Sequence, residues 1–230
     1  MVKLLWVDKY DKNKTIKLVQ THFKYIEVTG GDGTLLRAIN MFRHLNLPFY
    51  GIAGGTMNFL LNPSEEKEVS PESTFKSFKL LKVDVIHNTP NSENTVFQAF
   101  NDVMVGGDMN SWFDFDVHDE DEIIGQFKGG GLIFSTSQGT TGINKNNGGV
   151  ILPLSSDQWS VTGDKCNRRI NYVLEPNSCF VNVSGRTPAN VWVDGQNHIL
   201  EDIKSMMLTQ GDTVTVIFND YDKFKKKRSI

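Results

Sequence analysis

The stretch that decides the fold is YIEVTGGDGTLLRAINMF, residues 25–42. Its first part, Tyr25 to Val28, is rich in β-forming residues and predicts a strand. Apolar residues then recur at helical spacing from Leu35 to Phe42 and predict a helix. Between them lies Gly30-Gly31-Asp32-Gly33-Thr34, where glycines let the backbone approach a ligand and the helix N-terminus offers N–H groups to phosphate. The stretch therefore predicts a strand, a phosphate-handling turn and a helix.

The carboxylate of Asp32 lies inside this turn, and its function should differ from that of the glycines. A carboxylate does not suit direct binding of an anion, so we expect Asp32 to orient Mg²⁺ or to accept the proton of an attacking hydroxyl. The alternative is a tight turn in which Asp32 only caps the helix. The sequence contains no GxxxxGK[ST] pattern, which excludes the usual P-loop and its phosphate-binding lysine.

The first 87 residues alternate strand-like and helix-like patterns, which predicts βαβ units and a parallel sheet. Further strands are predicted at Leu4–Val7 and Phe49–Ala53. The second of these strands also runs into glycines, within GIAGGTMNF at residues 51–59. Carboxyl ends of parallel strands are where open α/β sheets bind ligands, although a simple turn explains these glycines equally well.

From about Leu80 the sequence consists of short β-rich runs separated by Gly, Asn, Asp and Ser clusters, which predicts a largely antiparallel domain. The polar segment His87–Asn94 is predicted to be a loop near the boundary. We therefore predict an α/β domain over residues 1–87 and a mainly β domain over residues 88–230. The strands predicted after Leu80 are 83–86, 96–100, 113–117, 131–134, 179–183, 191–193 and 214–218.

Three polar segments follow predicted strands in the second domain. Ser135–Asn144 is rich in hydroxyls, amides and glycine, and such a loop can present several groups to a nucleotide. Asn101-Asp102 suits an adenine edge and ribose hydroxyls, and Asp194-Gly195-Gln196 has a similar composition. Each segment is equally well explained without a ligand, the last one as a β-hairpin turn.

Composition limits the class of protein. The 230 residues are 39% hydrophobic and 22% charged with a net charge of −3, which fits a globular protein and argues against a nucleic-acid coat or a general membrane binder. No segment approaches the roughly 20 apolar residues of a membrane helix, and two distant cysteines fit a reducing cytoplasm. The C-terminal run Lys223–Arg228 is predicted to be a solvated tail.

A metal site built from protein side chains is not predicted. The five histidines show no metal-ligand spacing. The acidic run from Asp114 to Glu122 alternates with Phe113, Phe115 and Val117 at its start, which predicts a half-exposed strand and a turn.

Taken together in their order along the chain, these segments resemble the NAD kinase family over roughly residues 24–218. The Gly30–Thr34 turn is shared with diacylglycerol and sphingosine kinases. Phe100–Val105 is similar to the family's Leu-Asn-Glu-Val-Val, and Gly131–Gly142, continuing to Gly148-Gly149, is similar to its Gly-Leu-Ile-x-x-Thr-Pro-Thr-Gly-Ser-Thr-Ala loop. Asn167–Arg169 and Val193–Gln196 fall where the family has an Arg-containing segment and an Asp-Gly-Gln.

The resemblance implies an α/β nucleotide domain followed by a β-sandwich that binds the dinucleotide. It implies that Asp32 is the catalytic base, that Asn101 and Asp102 hold the adenosine part of NAD, and that Mg²⁺ or another divalent cation accompanies ATP. Homodimers or homotetramers are also implied. The remaining candidate residues for nucleotide or substrate binding are Gly31, Gly33, Thr34, Arg37, Phe59, Lys128, Gly130, Thr141, Gly142, Ile143, Asn146 and Gln196.

Several positions depart from the family pattern. Asp102 is one methylene shorter than the family's usual Glu, Gly130 stands where an Asp that contacts the dinucleotide is usual, and Ile143 replaces a frequent Tyr. Gly55-Thr56-Met57-Asn58 is closer to the Gly-Thr-x-Asn of lipid kinases, and the part before Asp32 is unusually short. The leading expectation is a cytoplasmic NAD kinase that uses ATP or polyphosphate and binds neither nucleic acid nor membrane. A lipid or sphingoid-base kinase and a non-catalytic dinucleotide sensor are the alternatives.

Overall fold

The computed structural model describes residues 1–54, 58–89, 93–108, 110–119, 122–200 and 202–227. The chain forms two compact units. Unit 1 comprises Met1–Phe78 and Thr213–Ile230, and unit 2 comprises Lys79–Asp212. The division falls within two long strands, β5 and β16, whose bounds are given below.

The elements follow in chain order. The first half contains β1 (Val2–Val7), β2 (Thr15–Gln20), β3 (Lys24–Gly30), α1 (Asp32–Phe42), a 3₁₀ turn (Arg43–Leu45), β4 (Phe49–Ala53), β5 (Thr74–His87), β6 (Thr95–Ala99), β7 (Asp102–Gly106) and β8 (Phe113–Asp119). The second half contains β9 (Glu122–Gly129), β10 (Gly131–Ser135), α2 (Ile143–Asn146), β11 (Trp159–Asp164), β12 (Asn171–Leu174), β13 (Cys179–Gly185), β14 (Ala189–Val193), β15 (Gln196–Leu200), β16 (Ile203–Phe218) and α3 (Tyr221–Lys227).

Unit 1 is built on a mixed sheet in the order β1, β2, β3, β4, followed by the C-terminal part of β16. The pairs β3–β4 and β4–β16 are parallel, as expected for the βαβ unit that the glycine turn begins. α1 packs on β3 and buries one face. The buried residues of that face are Thr34, Leu35, Leu36, Ala38 and Ile39.

The parallel sheet predicted for the N-terminal domain is confirmed around β3, α1 and β4, but its edge is antiparallel. The prediction missed β2, which pairs antiparallel with both β1 and β3. A tight connection explains this arrangement, because the Asp8 carboxylate accepts the N–H of Tyr10 at 2.8 Å and the Asp8 N–H reaches the carbonyl of Lys14 at 2.9 Å. So short a turn can join only antiparallel neighbours.

Unit 2 is a mainly antiparallel β structure, as predicted. One sheet has the order β12, β11, β10, β7, β14, β15, and the other contains β9, β8, β13 and the N-terminal part of β16. Buried side chains from both sheets form one hydrophobic cluster, as in a sandwich. Large members of this cluster are Phe113, Phe115, Phe134 and Trp159.

The units also divide the chain differently from the expected boundary at residue 87. Residues 213–230 belong with unit 1 because Val216 and Ile217 pair in parallel with Phe49 and Tyr50 of β4. The C-terminal segment predicted to be a solvated tail is helical as far as it is described. Phe224 of α3 is buried at 4.3 Å from the ring of Phe218.

Candidate functional site

The glycine turn has a backbone that only glycine accommodates. Gly30 ends β3 with φ of +153°, and a Cβ atom there would lie 2.5 Å from Oγ1 of Thr34. Gly54, which follows β4, donates its N–H to the carbonyl of Gly30 at 2.7 Å. A Cβ on Gly54 would lie 3.1 Å from the Cα of Gly30. The ends of the two parallel strands therefore lie side by side, as the glycines at both strand ends predicted.

Asp32 is half-buried and is the first residue of α1. Its two carboxylate oxygens accept the backbone N–H groups of Phe59 at 2.8 Å and Leu60 at 2.9 Å. A Cβ on Gly33, the next residue of the helix, would meet nothing within 4 Å, so the turn is open beside Gly33. The two N–H bonds fix the Asp32 carboxylate at the N-terminus of α1. A carboxylate fixed in this way can accept a proton.

The other candidates of unit 1 divide into two groups. Thr34 and Phe59 contact the turn itself. The Thr34 N–H donates to the Gly31 carbonyl at 2.9 Å, and the Phe59 N–H donates to the Asp32 carboxylate. Arg37 is exposed and turns towards β1, 4.0 Å from the Asp8 carboxylate and 5.2 Å from the ring centre of Trp6. The predicted segment at 51–59 includes Gly55, Thr56 and Met57, which lie outside the described residues.

In unit 2, Asn101 and Asp102 lie at the start of β7. Burial raises the pKa of the Asp102 carboxyl group to about 7, and the nearby charge of Asp194 acts in the same direction. Near neutral pH this group can therefore donate or accept a hydrogen bond. Oδ1 of Asn101 is buried and has no hydrogen-bond partner among the described residues. An unpaired buried acceptor is costly, and a ligand N–H group would satisfy it.

The loop after β10 is held by a buried polar network. Nδ2 of the fully buried Asn144 donates to the carbonyls of Thr140 at 3.2 Å and Val150 at 2.9 Å, and its Oδ1 accepts the Ser160 hydroxyl at 2.8 Å. A Cβ on Gly149 would lie 2.1 Å from Oδ1 of Asn144. These contacts fix the loop that carries four candidates with exposed or half-buried positions: Thr141, Gly142, Ile143 and Asn146.

The structure brings part of this set together. Ser135 of β10 pairs with Asp102, and the carbonyl of Asn101 accepts the N–H of Thr136 at 2.9 Å. Gln196 is exposed just after the Asp194-Gly195 turn, whose backbone returns to the Asp102 carbonyl. The start of β7, the loop after β10 and this turn therefore share one end of the sheet.

Gly130 and Lys128 lie at the other end of that sheet. Gly131 at the start of β10 pairs with Gly106, whereas Ser135 at its end pairs with Asp102, which separates the two ends by roughly 13 Å. A Cβ on Gly130 would lie 3.4 Å from a carboxylate oxygen of Asp164. Lys128 is exposed and forms an ion pair with Asp114 at 2.6 Å. Within unit 2 these two residues do not join the Asn101 and Asp102 group.

Four residues position the site in a way that the sequence did not predict, although Thr136, Gln138 and Asp194 lie in segments proposed as candidates. Leu60 orients Asp32, and Asp194, Thr136 and Gln138 contact the backbone of Phe100 to Asp102. The Asp-Gly pair after β14 predicted the hairpin, which the structure confirms. Nothing in the local sequence indicated that its carboxylate reaches residues almost a hundred positions earlier.

The acidic run forms β8 as predicted, with Phe113, Phe115 and Val117 buried, and its Glu120 and Asp121 lie outside the described residues. The described residues contain no group of three His, Cys, Asp or Glu side chains arranged to hold a metal ion. Within the described part of the chain, no helix is both long enough and apolar enough to span a membrane.

Two solved structures are similar in fold to this chain. The structure of yeast NADH kinase complexed with NADH matches 88% of this chain and 63% of its own, with a TM-score of 0.78 and 18% identity. That of an NAD kinase from Archaeoglobus fulgidus in complex with ATP matches 90% of this chain and 81% of its own, with a TM-score of 0.68 and 18% identity. At these identities the two neighbours establish the fold.

Sequence relatives establish the family. Residues 3–79 match the family described as the ATP-NAD kinase N-terminal domain. An NAD kinase of Christiangramia forsetii is 29% identical in an alignment of 198 positions that covers 82% of this chain and 65% of the relative. An NAD kinase of Rickettsia bellii is 30% identical in an alignment of 213 positions that covers 84% of this chain and 79% of the relative. The chain therefore belongs to the NAD kinase family.

Proposed function

We propose that this chain transfers the γ-phosphoryl group of ATP to the adenosine 2′-hydroxyl of NAD, giving NADP. The observation that carries the proposal is the geometry of Asp32. Its carboxylate lies at the N-terminus of α1, is held by two backbone N–H groups, and is followed by Gly33, where an added Cβ would meet nothing within 4 Å. A helix N-terminus attracts phosphate oxygens, and a fixed carboxylate beside it suits a general base.

The proposed reaction balances with this one base. The 2′-oxygen of NAD forms a bond to the γ-phosphorus, the bond from that phosphorus to the bridging oxygen of ADP breaks, and Asp32 accepts the hydroxyl proton. The products are NADP, ADP and the proton that Asp32 later releases to water. Most of the acceleration in such transfers comes from positioning and charge neutralisation.

The divalent cation in this proposal belongs with the phosphates of ATP. Bound there, Mg²⁺ would neutralise phosphate charge during transfer. The protein groups near this turn agree with a cation held mainly by ATP. Asp32 already accepts two backbone N–H groups, and the described residues contain no cluster of three metal-ligating side chains. We therefore expect this chain to contribute at most one carboxylate to the cation and ATP to supply the other ligands.

The choice of NAD as acceptor depends on unit 2. The buried acceptor on Asn101 suits the amino group of adenine, and the Asp102 carboxyl group, whose pKa is about 7, suits ribose hydroxyls. A lipid kinase would need an apolar surface here instead. The relatives compared above are named NAD kinases, which also favours this acceptor over the lipid and sensor alternatives.

The phosphate donor, the oligomeric state and the location of the protein in the cell need separate tests. Polyphosphate is the alternative donor, and parallel assays with the two donors separate them. Assembly as a homodimer or homotetramer is tested by light scattering on the purified chain. A cytoplasmic location is tested by fractionating cells that express the full chain.

The test of Asp32 separates binding from turnover. In Asp32→Asn, the amide cannot accept the hydroxyl proton, and we expect kcat to fall by roughly 100-fold or more. The dissociation constant for NAD, measured by calorimetry, should stay within about twofold of the wild-type value, because the isosteric amide can still accept a hydrogen bond from the 2′-hydroxyl. The calorimetric signal also shows that the variant is folded.

Asp220→Asn is the matched control, since this aspartate also lies at the start of a helix and accepts the Lys223 N–H at 2.8 Å. Its turnover should equal that of the wild type. Near-wild-type turnover in Asp32→Asn would remove Asp32 from the role of base and with it the proposed mechanism.

A further inference from the structure

The backbone from Phe100 to Asp102 is held through its N–H groups by one side chain. Oδ2 of Asp194 accepts the Phe100 N–H at 2.9 Å, and its Oδ1 accepts the N–H groups of Asn101 at 2.7 Å and Asp102 at 3.3 Å. Hydrogen bonds to a charged acceptor are stronger than neutral ones. One carboxylate therefore fixes three consecutive peptide groups.

The carbonyl groups of the same segment are held from the other direction. The single hydroxyl proton of Thr136 is shared between the carbonyls of Phe100, 2.6 Å from Oγ1, and Asn101, 2.9 Å from Oγ1. Nε2 of Gln138 donates to the Phe100 carbonyl at 2.7 Å. We call Asp194, Thr136 and Gln138 the backbone clamp. All three lie in unit 2, and Thr136 and Gln138 are buried.

Asp194 is itself held rigidly. It lies in the two-residue turn between β14 and β15 with φ of +50°, followed by Gly195 with φ of +77°. Positive φ at both central residues is the geometry of a tight type I′ hairpin. The N–H of Asp194 also donates to the carbonyl of Asp102 at 3.0 Å. The turn and the start of β7 thus hold each other in place.

We propose that the backbone clamp is positioning machinery, with Asp194 as its main member, and that it sets the side chains of Asn101 and Asp102 for the adenosine of NAD. This inference rests on the proposed function. The clamp acts through the backbone, so its members need not touch the dinucleotide. A preorganised site binds more tightly than one whose groups must be ordered on binding.

The clamp predicts an effect on one substrate only. The clamp fixes Asn101 and Asp102 and does not touch the glycine turn. Its loss should therefore weaken the binding of NAD and leave the binding of ATP unchanged. A residue that matters only for stability would lower the amount of folded enzyme and leave both KM values unchanged. The split between the two KM values therefore distinguishes positioning from stability.

Two variants weaken the clamp from opposite sides. Asp194→Asn replaces one accepting oxygen by an amide NH₂ that faces a backbone N–H. Thr136→Val removes a hydroxyl donor at nearly constant volume. For each, the KM for NAD and the calorimetric Kd for NAD should rise about tenfold. The KM for ATP should stay within about twofold of wild type.

Asp202→Asn is the matched control. Asp202 is also a turn aspartate with positive φ, +61°, and its carboxylate accepts hydrogen bonds from Asn88 at 2.8 Å and Thr89 at 2.7 Å. It makes none of the clamp contacts. Both KM values should therefore match those of the wild type.

The outcomes separate the clamp from the proposed function. A wild-type chain that binds NAD but makes no NADP would contradict the proposed function, and the Kd values of the variants would still test the clamp. Wild-type Kd for NAD in folded Asp194→Asn and Thr136→Val overturns the clamp, as does an equal rise in both KM values. A wild-type chain that binds no NAD overturns both proposals.

Discussion

Replacing Asp102 by Asn should change how the stability of the protein depends on pH. Burial, together with the charge of Asp194, raises the pKa of the Asp102 carboxyl group to about 7 from its ordinary value of 3.8. In the unfolded chain this group ionises at the ordinary value, whereas in the folded chain it keeps its proton until about pH 7. The folded state therefore binds more protons over this interval, and its stability falls as pH rises.

The size of the effect follows from the two pKa values. The full difference of about 3 pKa units corresponds to roughly 4 kcal/mol, nearly all of it present below pH 4 and lost by pH 8. Between pH 5 and pH 8 the wild type should lose roughly 2–3 kcal/mol that Asp102→Asn does not lose. The variant should thus gain stability relative to the wild type as pH rises.

Urea unfolding at pH 5, 6, 7 and 8 measures this difference for the two proteins. Asp108→Asn serves as the control, because hydrogen bonds from Ser111 and Asn110 hold the pKa of Asp108 below its ordinary value. That carboxyl group is ionised in both folded and unfolded states above about pH 5. The free energy of unfolding of Asp108→Asn should therefore differ from that of the wild type by the same amount at every pH from 5 to 8. A constant difference between Asp102→Asn and the wild type from pH 5 to pH 8 would refute the raised pKa of Asp102.

Two further predictions concern stability. Gly30→Ala should destabilise the protein by about 2 kcal/mol or more in thermal unfolding, because a Cβ at φ of +153° meets the Thr34 side chain at 2.5 Å; Gly33→Ala, with nothing within 4 Å, should not. Asn144→Leu should cost about 2–4 kcal/mol in urea unfolding, because the buried Asn144 side chain loses its bonds to the carbonyls of Thr140 and Val150 and to the Ser160 hydroxyl. Equal stability of Gly30→Ala and Gly33→Ala, or wild-type stability of Asn144→Leu, would contradict these assignments.

The sequence predicted those parts of the fold whose signals are local. The strand, glycine turn and helix at residues 25–42 are where the pattern placed them, because periodicity and glycine geometry act over a few residues. β2 was missed because lysines surround its few apolar residues. The place of residues 213–230 in unit 1 depends on pairing with β4, about 170 positions earlier, which no local pattern indicates.

The candidate site shows the same limit. Asp32 and the Asn101-Asp102 pair were found because their residue types are unusual at strand ends. The groups that orient these residues were not predicted, because they become neighbours only after folding. The Phe59 and Leu60 N–H groups then reach Asp32, and the Asp194 carboxylate reaches Asn101. Lys128 and Gly130 lie close to the loop in sequence, yet the length of β10 separates them from Asp102.

The most direct measurement of the central claim is product formation by the purified wild-type chain. The protein is incubated with NAD and ATP-Mg²⁺, with diacylglycerol in place of NAD as the parallel acceptor, and the products are separated by mass. NADP and ADP should form in equal amounts, Asp32→Asn should form roughly 100-fold less of both, and no phosphorylated lipid should appear. Phosphorylated lipid, or NAD that binds and remains unphosphorylated with both ATP and polyphosphate, would contradict that claim.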